Sequence, residues 1–434
     1  MNAKKGRLVV ALVAALSGGL LPVAGQAGER IVKPWVVGYL PGDWQKTDGS
    51  LNILTDNDWN TITHIVHFAA EPNDDGSLSF DAGSEGKMSA TKRAAAITLA
   101  HSKGIPILFC LNDWIDLYKP VLSDASKRQN LINGLISVLK EGYDGLDIDL
   151  EPVTPYGSST HPIYETFMNE LHAKMKLVNK TNNPKMIVER PLFTLAAGSD
   201  AREAPLLMRL IDKLDKINVM TYDMSTIWQC TVWHDSALYD GGNKYASTGQ
   251  PLISASGTMQ KYLDAGIPAS KLTLGLSLEA RIWQGGKMTG TTTGAVLPTQ
   301  YWATEGCDTS SNRPLNWNDG TTPREGFAEM MKNRYQPAYY RWDKTAKSAY
   351  MSIDQTGTAN DAFISYNDPR SVHEKVNYVK DKGLGGVMIW HLALECLHPS
   401  GNGGSLDQCV PGQSGKNRPI MSAIRKTLHT GTGK

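Results

Sequence analysis

Three acidic side chains alternate with aliphatic ones between Tyr143 and Glu151, a segment that reads Tyr-Asp-Gly-Leu-Asp-Ile-Asp-Leu-Glu. Successive side chains of a β-strand point to opposite faces, so the pattern predicts a strand with Asp147, Asp149 and Glu151 on one face. We call these three residues the acidic file. Its members are roughly 6 to 7 Å apart along the strand. In a dehydrated place they do not all ionise together, so at least one is expected to hold a proton near neutral pH.

The acidic file suits general acid catalysis, in which one carboxyl stays protonated while a neighbouring carboxylate stabilises positive charge that develops on the substrate. Cleavage of a glycosidic bond uses this combination. Two alternatives are a surface strand with solvated acids and a Ca²⁺ site, because closely spaced Asp and Glu also suit that cation. The opposite face carries Leu146, Ile148 and Leu150. This favours a strand that is buried on both sides, with its acids pointing into a central cavity.

Composition indicates a large globular protein with an uncharged ligand. The chain has 434 residues, of which 41% are hydrophobic and 20% charged, enough for one large domain with a smaller insertion. The net charge is +1 and no long basic run occurs, which argues against nucleic acid or an anionic membrane as the partner. Tryptophan outnumbers phenylalanine, 11 to 7, which is typical of proteins whose flat apolar rings also meet polar ligands.

The first 27 residues have the three-part layout of a secretory signal peptide. Basic residues at positions 4, 5 and 7 precede an apolar run from Leu8 to Leu21, and small residues at 24–27 follow. We therefore expect cleavage near Ala27 and an extracellular or periplasmic location. Later stretches are too short to span a bilayer, so no membrane association is expected. The mature protein is expected to be a monomer.

Five cysteines leave one unpaired thiol in an oxidising compartment. Cys396 and Cys409 flank a loop rich in Gly and Ser and are the first candidate disulfide; Cys230 and Cys307 are the second. Cys110 ends an apolar run and is expected to be a buried core thiol. The sequence has no CxxC motif and no His-rich cluster, so neither a metal nor another cofactor is expected.

Short apolar runs, most of them followed by a longer amphipathic stretch, predict β/α units that close on a parallel sheet. Eight such runs predict an α/β protein of the (β/α)8 TIM-barrel class, whose active site lies at the carboxyl ends of the strands. Glu151 ends the fourth run. The eight predicted strands are Trp35 to Leu40, Ile62 to Ala69, Ile105 to Leu111, Gly145 to Glu151, Leu192 to Ala197, Ile217 to Tyr222, Leu272 to Leu278 and Gly386 to Trp390.

About a hundred residues separate the seventh and eighth runs, far more than a β/α crossover needs. We predict a small α+β insertion over 281–361, which walls one side of the cleft. The catalytic barrel then occupies 28–280 and resumes over 362–434. Ser371 is expected to cap the helix that returns the chain to the barrel, with Glu374 completing a capping box.

The segment Asp144-Gly-Leu-Asp147-Ile-Asp149-Leu-Glu151 resembles the DxxDxDxE signature of family 18 glycoside hydrolases, the chitinases and their relatives. Further similar segments follow the family order: Val-Gly-Tyr at 37–39, Met-Thr-Tyr-Asp at 220–223 and Gly-Gly-Val-Met-Ile-Trp at 385–390. The resemblance runs from about residue 36 to 390. It implies a retaining hydrolysis in which the substrate assists, the known exception to the two-carboxylate rule.

The resemblance implies a role for each acid. Glu151 protonates the glycosidic oxygen and later acts as base toward water, while the acetamido oxygen of the substrate is the nucleophile. Asp149 bonds the acetamido N–H, and Asp147 shares a proton with Asp149. Tyr222 donates its hydroxyl to the acetamido group, with a core tyrosine as the alternative. Asp144 faces the other way by strand parity and is expected to be structural.

A second set of residues is expected to bind the sugar chain. Trp390 is expected to form the floor beneath the sugar at the cleavage point, with barrel filling as its alternative. Met220 has core packing as its alternative. Trp44 and Trp283 follow barrel strands and are further candidates to line subsites. The predicted substrate-binding residues are Tyr39, Trp114, Met220, Asp223, Trp233, Arg281 and Trp390.

Other polar residues near the predicted strand ends are expected to have no part in catalysis. His234 and His391 are expected to be satisfied loop or core histidines. The chain departs from the family pattern after the third and seventh strands, where it reads Asn-Asp-Trp at 112–114 and Leu-Glu-Ala-Arg at 278–281. Glu279 is either a solvated loop residue or a new polar contact, and we expect the first.

The expected function is a secreted chitinase that cleaves β-1,4 bonds between N-acetylglucosamine units. Its partners are then chitin or N-acetylglucosamine oligosaccharides. An endo-β-N-acetylglucosaminidase that acts on N-glycans uses the same acids, although the aromatic-rich insertion favours a long linear polymer. A chitin-binding lectin without catalysis is the third possibility, which the presence of Glu151 disfavours.

Overall fold

The computed structural model describes residues 34–81, 87–153, 160–225, 232–245, 248–284, 295–300, 325–355, 361–397, 409 and 418–429. The predicted signal peptide and the candidate pair Cys230 and Cys307 lie outside these residues. Within the described chain, no helix is both long enough and apolar enough to cross a membrane.

Fourteen strands occur in the described residues. They are β1 (Trp35–Pro41), β2 (His64–Pro72), β3 (Leu78–Ser79), β4 (Ile107–Trp114), β5 (Gly145–Glu151), β6 (Leu192–Ala197), β7 (Lys216–Val219), β8 (Leu272–Ser277), β9 (Glu279–Gln284), β10 (Glu325–Gly326), β11 (Tyr340–Asp343), β12 (Ser348–Ile353), β13 (Ala362–Tyr366) and β14 (Gly386–Trp390).

Ten α-helices occur in the same residues. They are α1 (Asp56–Trp59), α2 (Ala90–Ser102), α3 (Ile115–Ser123), α4 (Ala125–Leu139), α5 (His161–Met175), α6 (Ala204–Leu210), α7 (Ala255–Asp264), α8 (Phe327–Asn333), α9 (Pro369–Asp381) and α10 (Pro419–His429).

Eight parallel strands close into a barrel in the order β1-β14-β8-β7-β6-β5-β4-β2, and β2 pairs with β1 to complete the ring. The (β/α)8 prediction is therefore confirmed. The predicted bounds of the fourth, fifth and eighth strands agree with β5, β6 and β14. The predicted sixth strand is too long, because β7 ends at Val219 and the residues up to Tyr222 form a loop.

The barrel sorts the side chains of β5 as the alternation predicts. Leu146, Ile148 and Leu150 are buried in the main hydrophobic core outside the barrel. The acidic file faces the other way, toward a small cluster inside the barrel that includes Tyr39, Cys110, Tyr222 and Met388. Burial on both faces explains why this strand is hydrophobic at each position that carries no acid.

The residues between β8 and β14 in the sequence form a second, antiparallel sheet, in the order β10-β9-β13-β12-β11. Its strand β9 begins two residues after β8 ends, so the sheet grows directly from the rim of the barrel. The helix α8 accompanies it. An α+β insertion is therefore present at the predicted place, and its predicted limits of 281 and 361 stay a prediction.

Two local features were also predicted from sequence. Cys396 and Cys409 form a disulfide, as expected, and Cys110 is a free buried thiol.

The expected cap of α9 is wrong: the N-cap is Asp368, whose carboxylate accepts a hydrogen bond from the backbone N–H of Ser371. Pro369 occupies the first helical position, where its missing N–H costs no hydrogen bond.

Candidate active site

The register of β4, β5 and β6 sets the level of each acid in the barrel. Asp147 lies between Cys110 of β4 and Thr194 of β6, at mid-strand. Asp149 and Glu151 lie successively nearer the carboxyl end of β5, and Glu151 is level with Trp114. The file therefore runs from the barrel interior to its open rim, where a (β/α)8 barrel places its chemistry.

Asp147 is fully buried and receives hydrogen bonds from four strands. Tyr39 Oη donates to Oδ2 over 2.8 Å, and Cys110 Sγ is 3.7 Å from the same oxygen. Thr194 Oγ1 donates to Oδ1, and Asn218 Nδ2 donates to it over 3.2 Å. Burial raises the pKa of Asp147, and these donors partly offset that rise because they stabilise the ionised form.

The surroundings of Asp149 favour its protonated form. Burial raises the pKa of Asp149 well above its usual range, and the charges of Glu151 and Asp147 raise it further. A hydrogen bond with Glu151 acts in the same direction. Glu151 is therefore a hydrogen-bonding partner of Asp149, and the proton sharing predicted between Asp147 and Asp149 stays a prediction. Asp149 Oδ1 has no hydrogen-bond partner among the described residues.

A cavity of about 180 Å³ opens beside Glu151 at the ends of β5, β6 and β7. Glu151 is half-buried and lines one side of it. Met220, Tyr222 and Asp223 line another side, so the predicted Met-Thr-Tyr-Asp segment reaches the same cavity. Burial raises the pKa of Tyr222 well above its usual range, and nearby carboxylates, with Asp149 first among them, raise it further. The hydroxyl is therefore a proton donor at all ordinary pH values.

Two tryptophans flank the site on its other sides. Trp390, at the end of β14, packs edge to face against Phe68 with ring centroids 4.9 Å apart, and against Tyr39 at 5.7 Å. It is only partly buried, so part of the ring remains accessible at the barrel mouth. Trp114 is 62% exposed beside Glu151. Both positions agree with the predicted contacts to a sugar chain.

Three of the predicted aromatic contacts lie elsewhere. Trp233 is 1% exposed, donates its indole N–H to the carbonyl of Ile253 over 3.0 Å, and packs in a separate core cluster. Trp283 is equally buried, inside the second sheet. Tyr39 lies behind the acidic file, not at the cleft. Trp233 and Trp283 follow barrel strands but are not exposed, because residues of the second sheet and of its β11–β12 turn pack against them.

Other candidate residues are also enclosed. Trp44 is buried next to His391, whose Nδ1 accepts a hydrogen bond from the backbone N–H of Ala393. His234 is buried with its Nε2 3.1 Å from Asp343 Oδ2. His234 Nδ1 has no hydrogen-bond partner among the described residues, so this ring is only partly satisfied. That neither histidine takes part in catalysis stays a prediction.

Asp144 points away from the acidic file, as strand parity predicts. Its carboxylate accepts the backbone N–H groups of Ile107 and Ile187 and lies 2.7 Å from His101 Nε2. These bonds tie β5 to the start of β4 and to the loop before β6. Their placement agrees with a structural role.

The expectation for Glu279 is wrong. Its side chain is 5% exposed, and Oε2 lies 3.3 Å from Arg281 Nη2. Arg281 is itself buried, and its Nε donates to Asp223 Oδ1 over 2.8 Å. Arg281 therefore contacts carboxylates of the protein at the place where we predicted a sugar contact.

Sequence reasoning missed several polar residues around the acids. Thr194 and Asn218 hold Asp147, and Asn218 is oriented in turn by Thr273 Oγ1 at 2.8 Å. Thr194 is the single polar residue of β6, whereas β7 also carries Lys216 and β8 also carries Ser277. A polar residue in an apolar strand is the signal that identified the acidic file, and it was equally available for Thr194.

Comparison with known proteins agrees with this geometry. A sequence profile of glycosyl hydrolases family 18 matches residues 36–395. Chitinase A1 of Niallia circulans is 30% identical over 64% of this chain, and a chitinase-like effector of Moniliophthora roreri is 25% identical over 89% of it. The match covers 95% of the effector. The match with chitinase A1 covers only 39% of that protein, and the match with endochitinase 1 of Metarhizium robertsii covers 60% of that protein.

Solved structures show the same fold. The Group IV chitinase of Ostrinia furnacalis, in complex with allosamidin, superimposes with a TM-score of 0.66 at 20% identity, covering 91% of this chain and 98% of that one. The profile match extends over more than half of the chain and includes every member of the acidic file. The chain therefore belongs to the family 18 glycosyl hydrolases.

Proposed function

We propose that this protein is a chitinase, which hydrolyses β-1,4 bonds between N-acetylglucosamine units with retention and with assistance from the substrate. The observation that carries the proposal is the acidic file itself. Its outer members are hydrogen-bonded to each other beside a cavity, where burial raises the pKa of Asp149, and its inner member is held by four donors. The curated chitinases support the choice of substrate.

The first step breaks the glycosidic bond. The proton that Asp149 and Glu151 share passes from Glu151 to the glycosidic oxygen. At the same time, the anomeric carbon of that bond is attacked by the acetamido oxygen of the sugar to which this carbon belongs. This forms an oxazolinium ion and releases the leaving chain as an alcohol. Asp149 and Glu151 are then both ionised, and their negative charge stabilises the cation.

The second step restores the enzyme. Glu151 takes a proton from a water molecule as the water oxygen attacks the anomeric carbon and the oxazolinium ring opens. This proton restores the protonated Asp149–Glu151 pair. Each of the two displacements inverts the anomeric carbon, so the product keeps the configuration of the substrate. Asp149 Oδ1, which lacks a partner among the described residues, is available to accept the acetamido N–H.

Tyr222 and Trp390 orient the sugar for this attack. Tyr222 lines the cavity beside Glu151, and its hydroxyl, which lies 3.8 Å from Met388 Sδ, turns to donate to the acetamido group when the sugar is bound. The partly accessible face of Trp390 meets the apolar face of the sugar ring. Holding the nucleophile in place converts a loose encounter into an oriented intramolecular step.

The direct test offers two substrates to the purified protein. Incubation with N-acetylglucosamine oligomers is expected to give shorter oligomers whose first-formed products are β anomers by NMR. Incubation with an N-glycosylated protein is expected to leave its glycans attached. Release of the glycans with intact oligomers would instead favour the endo-β-N-acetylglucosaminidase, and binding without cleavage of either would favour the lectin.

Export and a monomeric state belong to the same proposal. The pattern of residues 1–27 supports a secreted protein, and intact mass of the protein recovered outside the cells tests cleavage near Ala27. Light scattering of the purified protein tests the monomer.

A further inference from the structure

A buried cluster of charges joins the barrel to the second sheet next to the cavity. We define the charged cluster as Asp223, Asp235, Glu279 and Arg281. Asp223 and Asp235 belong to the segment after β7, whereas Glu279 and Arg281 belong to β9. We propose that Glu279 is a positioning residue for the sugar: it fixes Arg281, and Arg281 in turn fixes the carboxylate of Asp223 at the cavity. This inference rests on the proposed function.

The contacts make Arg281 the centre of the cluster. Its Nε donates to Asp223 Oδ1 over 2.8 Å, and its Nη2 donates to the same oxygen. Nη2 also lies 3.3 Å from Glu279 Oε2, and Nε lies 3.5 Å from Asp235 Oδ1. One edge of the guanidinium therefore faces three carboxylates. Its position determines where the carboxylate of Asp223 is held.

Exposure separates the residue that can touch a ligand from those that cannot. The side chain of Asp223 is 49% exposed and lines the cavity together with Glu151. Arg281, Glu279 and Asp235 are all buried. Asp223 is thus the member of the cluster that is accessible to a sugar, and the others act on the sugar through it.

Glu279 is suited to restrain the guanidinium. It lies two residues before Arg281 on β9, so the two side chains share one face of the strand. A long Arg side chain has considerable rotamer freedom, and a carboxylate on the same face reduces that freedom. Asp223 itself adopts a left-handed backbone conformation, with φ of 53°, which Asp tolerates. Two hydrogen bonds from Arg281 hold its carboxylate.

The charges in the cluster make each contact consequential. Three carboxylates face the guanidinium of Arg281. A second cation among the described residues, the buried Lys375, acts on Asp235 and donates to Ser236 and Asn367. Burial raises the pKa of Asp235 to about 7; Asp223 and Glu279 also raise it, while Arg281 and Lys375 lower it. A buried charge without its partner is costly. Removing one carboxylate therefore changes how the guanidinium is shared among the remaining two.

The test replaces Glu279 without touching the cavity. Glu279→Gln keeps the shape of the side chain but removes its charge, and we expect KM for N-acetylglucosamine oligomers to rise about tenfold with little change in kcat. Glu279→Asp withdraws the carboxylate from Arg281 and is expected to give the same rise, which provides a second variant if the first does not fold. Glu325→Gln is the matched control. It removes a carboxylate from an ion pair with Arg334 at the end of α8. Glu325 is paired with Ala280 of β9, whose side chain lies on the opposite face from Glu279 and Arg281, so this variant should leave KM unchanged.

A double variant separates positioning from general stabilisation. If Glu279 acts through Arg281 on Asp223, adding Glu279→Gln to Asp223→Asn causes no further rise in KM. Independent, multiplying losses would overturn the proposal, as would a lower unfolding midpoint with an unchanged KM.

The wild type reports on the proposed function separately. If the wild type binds oligomers without cleaving them, the chitinase assignment fails, and the same comparisons are made on Kd from tryptophan fluorescence. If the wild type neither binds nor cleaves oligomers, both proposals fail. If the wild type cleaves them and Glu279→Gln matches it, only the positioning role fails.

Discussion

Removing the hydroxyl of Tyr39 tests how the inner acid is tuned. Tyr39→Phe keeps the ring that packs on Trp390 and Phe68 but deletes the 2.8 Å hydrogen bond to Asp147 Oδ2. A hydrogen bond to a charged group contributes about 1.5 to 3 kcal/mol, so unfolding free energy should fall by about that amount. The same bond lowers the pKa of Asp147, against the rise caused by burial. Without it the pKa rises further, and Asp147 takes up a proton at higher pH.

The assay is a pH profile of kcat/KM on an N-acetylglucosamine oligomer. We expect its acidic limb to move to higher pH, and kcat/KM on that limb to fall, because Asp147 is then protonated at pH values where it is ionised in the wild type. Tyr164→Phe is the control, because that buried hydroxyl has no hydrogen-bond partner among the described residues. A Tyr39→Phe variant with a wild-type profile would refute the reasoning, since Asp147 would then not depend on its donors.

Three further predictions concern other parts of the molecule. Trp390→Ala should raise KM for oligomers roughly tenfold or more, because the floor beneath the sugar is lost. Trp390→Phe should raise KM less, and initial rates measure KM for both variants. Asp149 holds its proton in the folded protein at pH values where an unfolded Asp has lost it, so it costs stability as pH rises above about 3.8. Asp149→Asn should therefore resist urea better than wild type at pH 7 but not at pH 3. Arg418→Met should lower unfolding free energy by about 3 to 5 kcal/mol in urea titrations, because Asp58 and Glu395 lose their buried partner.

The sequence was sufficient for the barrel and for the faces that the side chains of β5 take. Alternation along a single strand fixes which face each acid takes, and β-strand parity is a local property. The same reasoning correctly separated Asp144 from the acidic file. The hydrogen bond between Asp149 and Glu151 was not predictable, because it depends on distances between side chains that alternation does not give.

The sequence was insufficient for residues near the second sheet. Trp233, Trp283 and Glu279 all follow barrel strands, where exposure at the cleft was the natural expectation. In the structure, Trp233 and Trp283 pack beneath or within the second sheet, and Glu279 begins its strand β9. Their burial depends on tertiary packing between segments far apart in the chain, which no local pattern encodes.

The most direct test of the account is Glu151→Gln. The substitution removes the proton donor but keeps the shape of the side chain at the end of β5. We predict that hydrolysis of N-acetylglucosamine oligomers falls to background while their Kd, from tryptophan fluorescence, stays within a fewfold of wild type. Turnover at a wild-type rate would contradict the assignment of Glu151 as the acid.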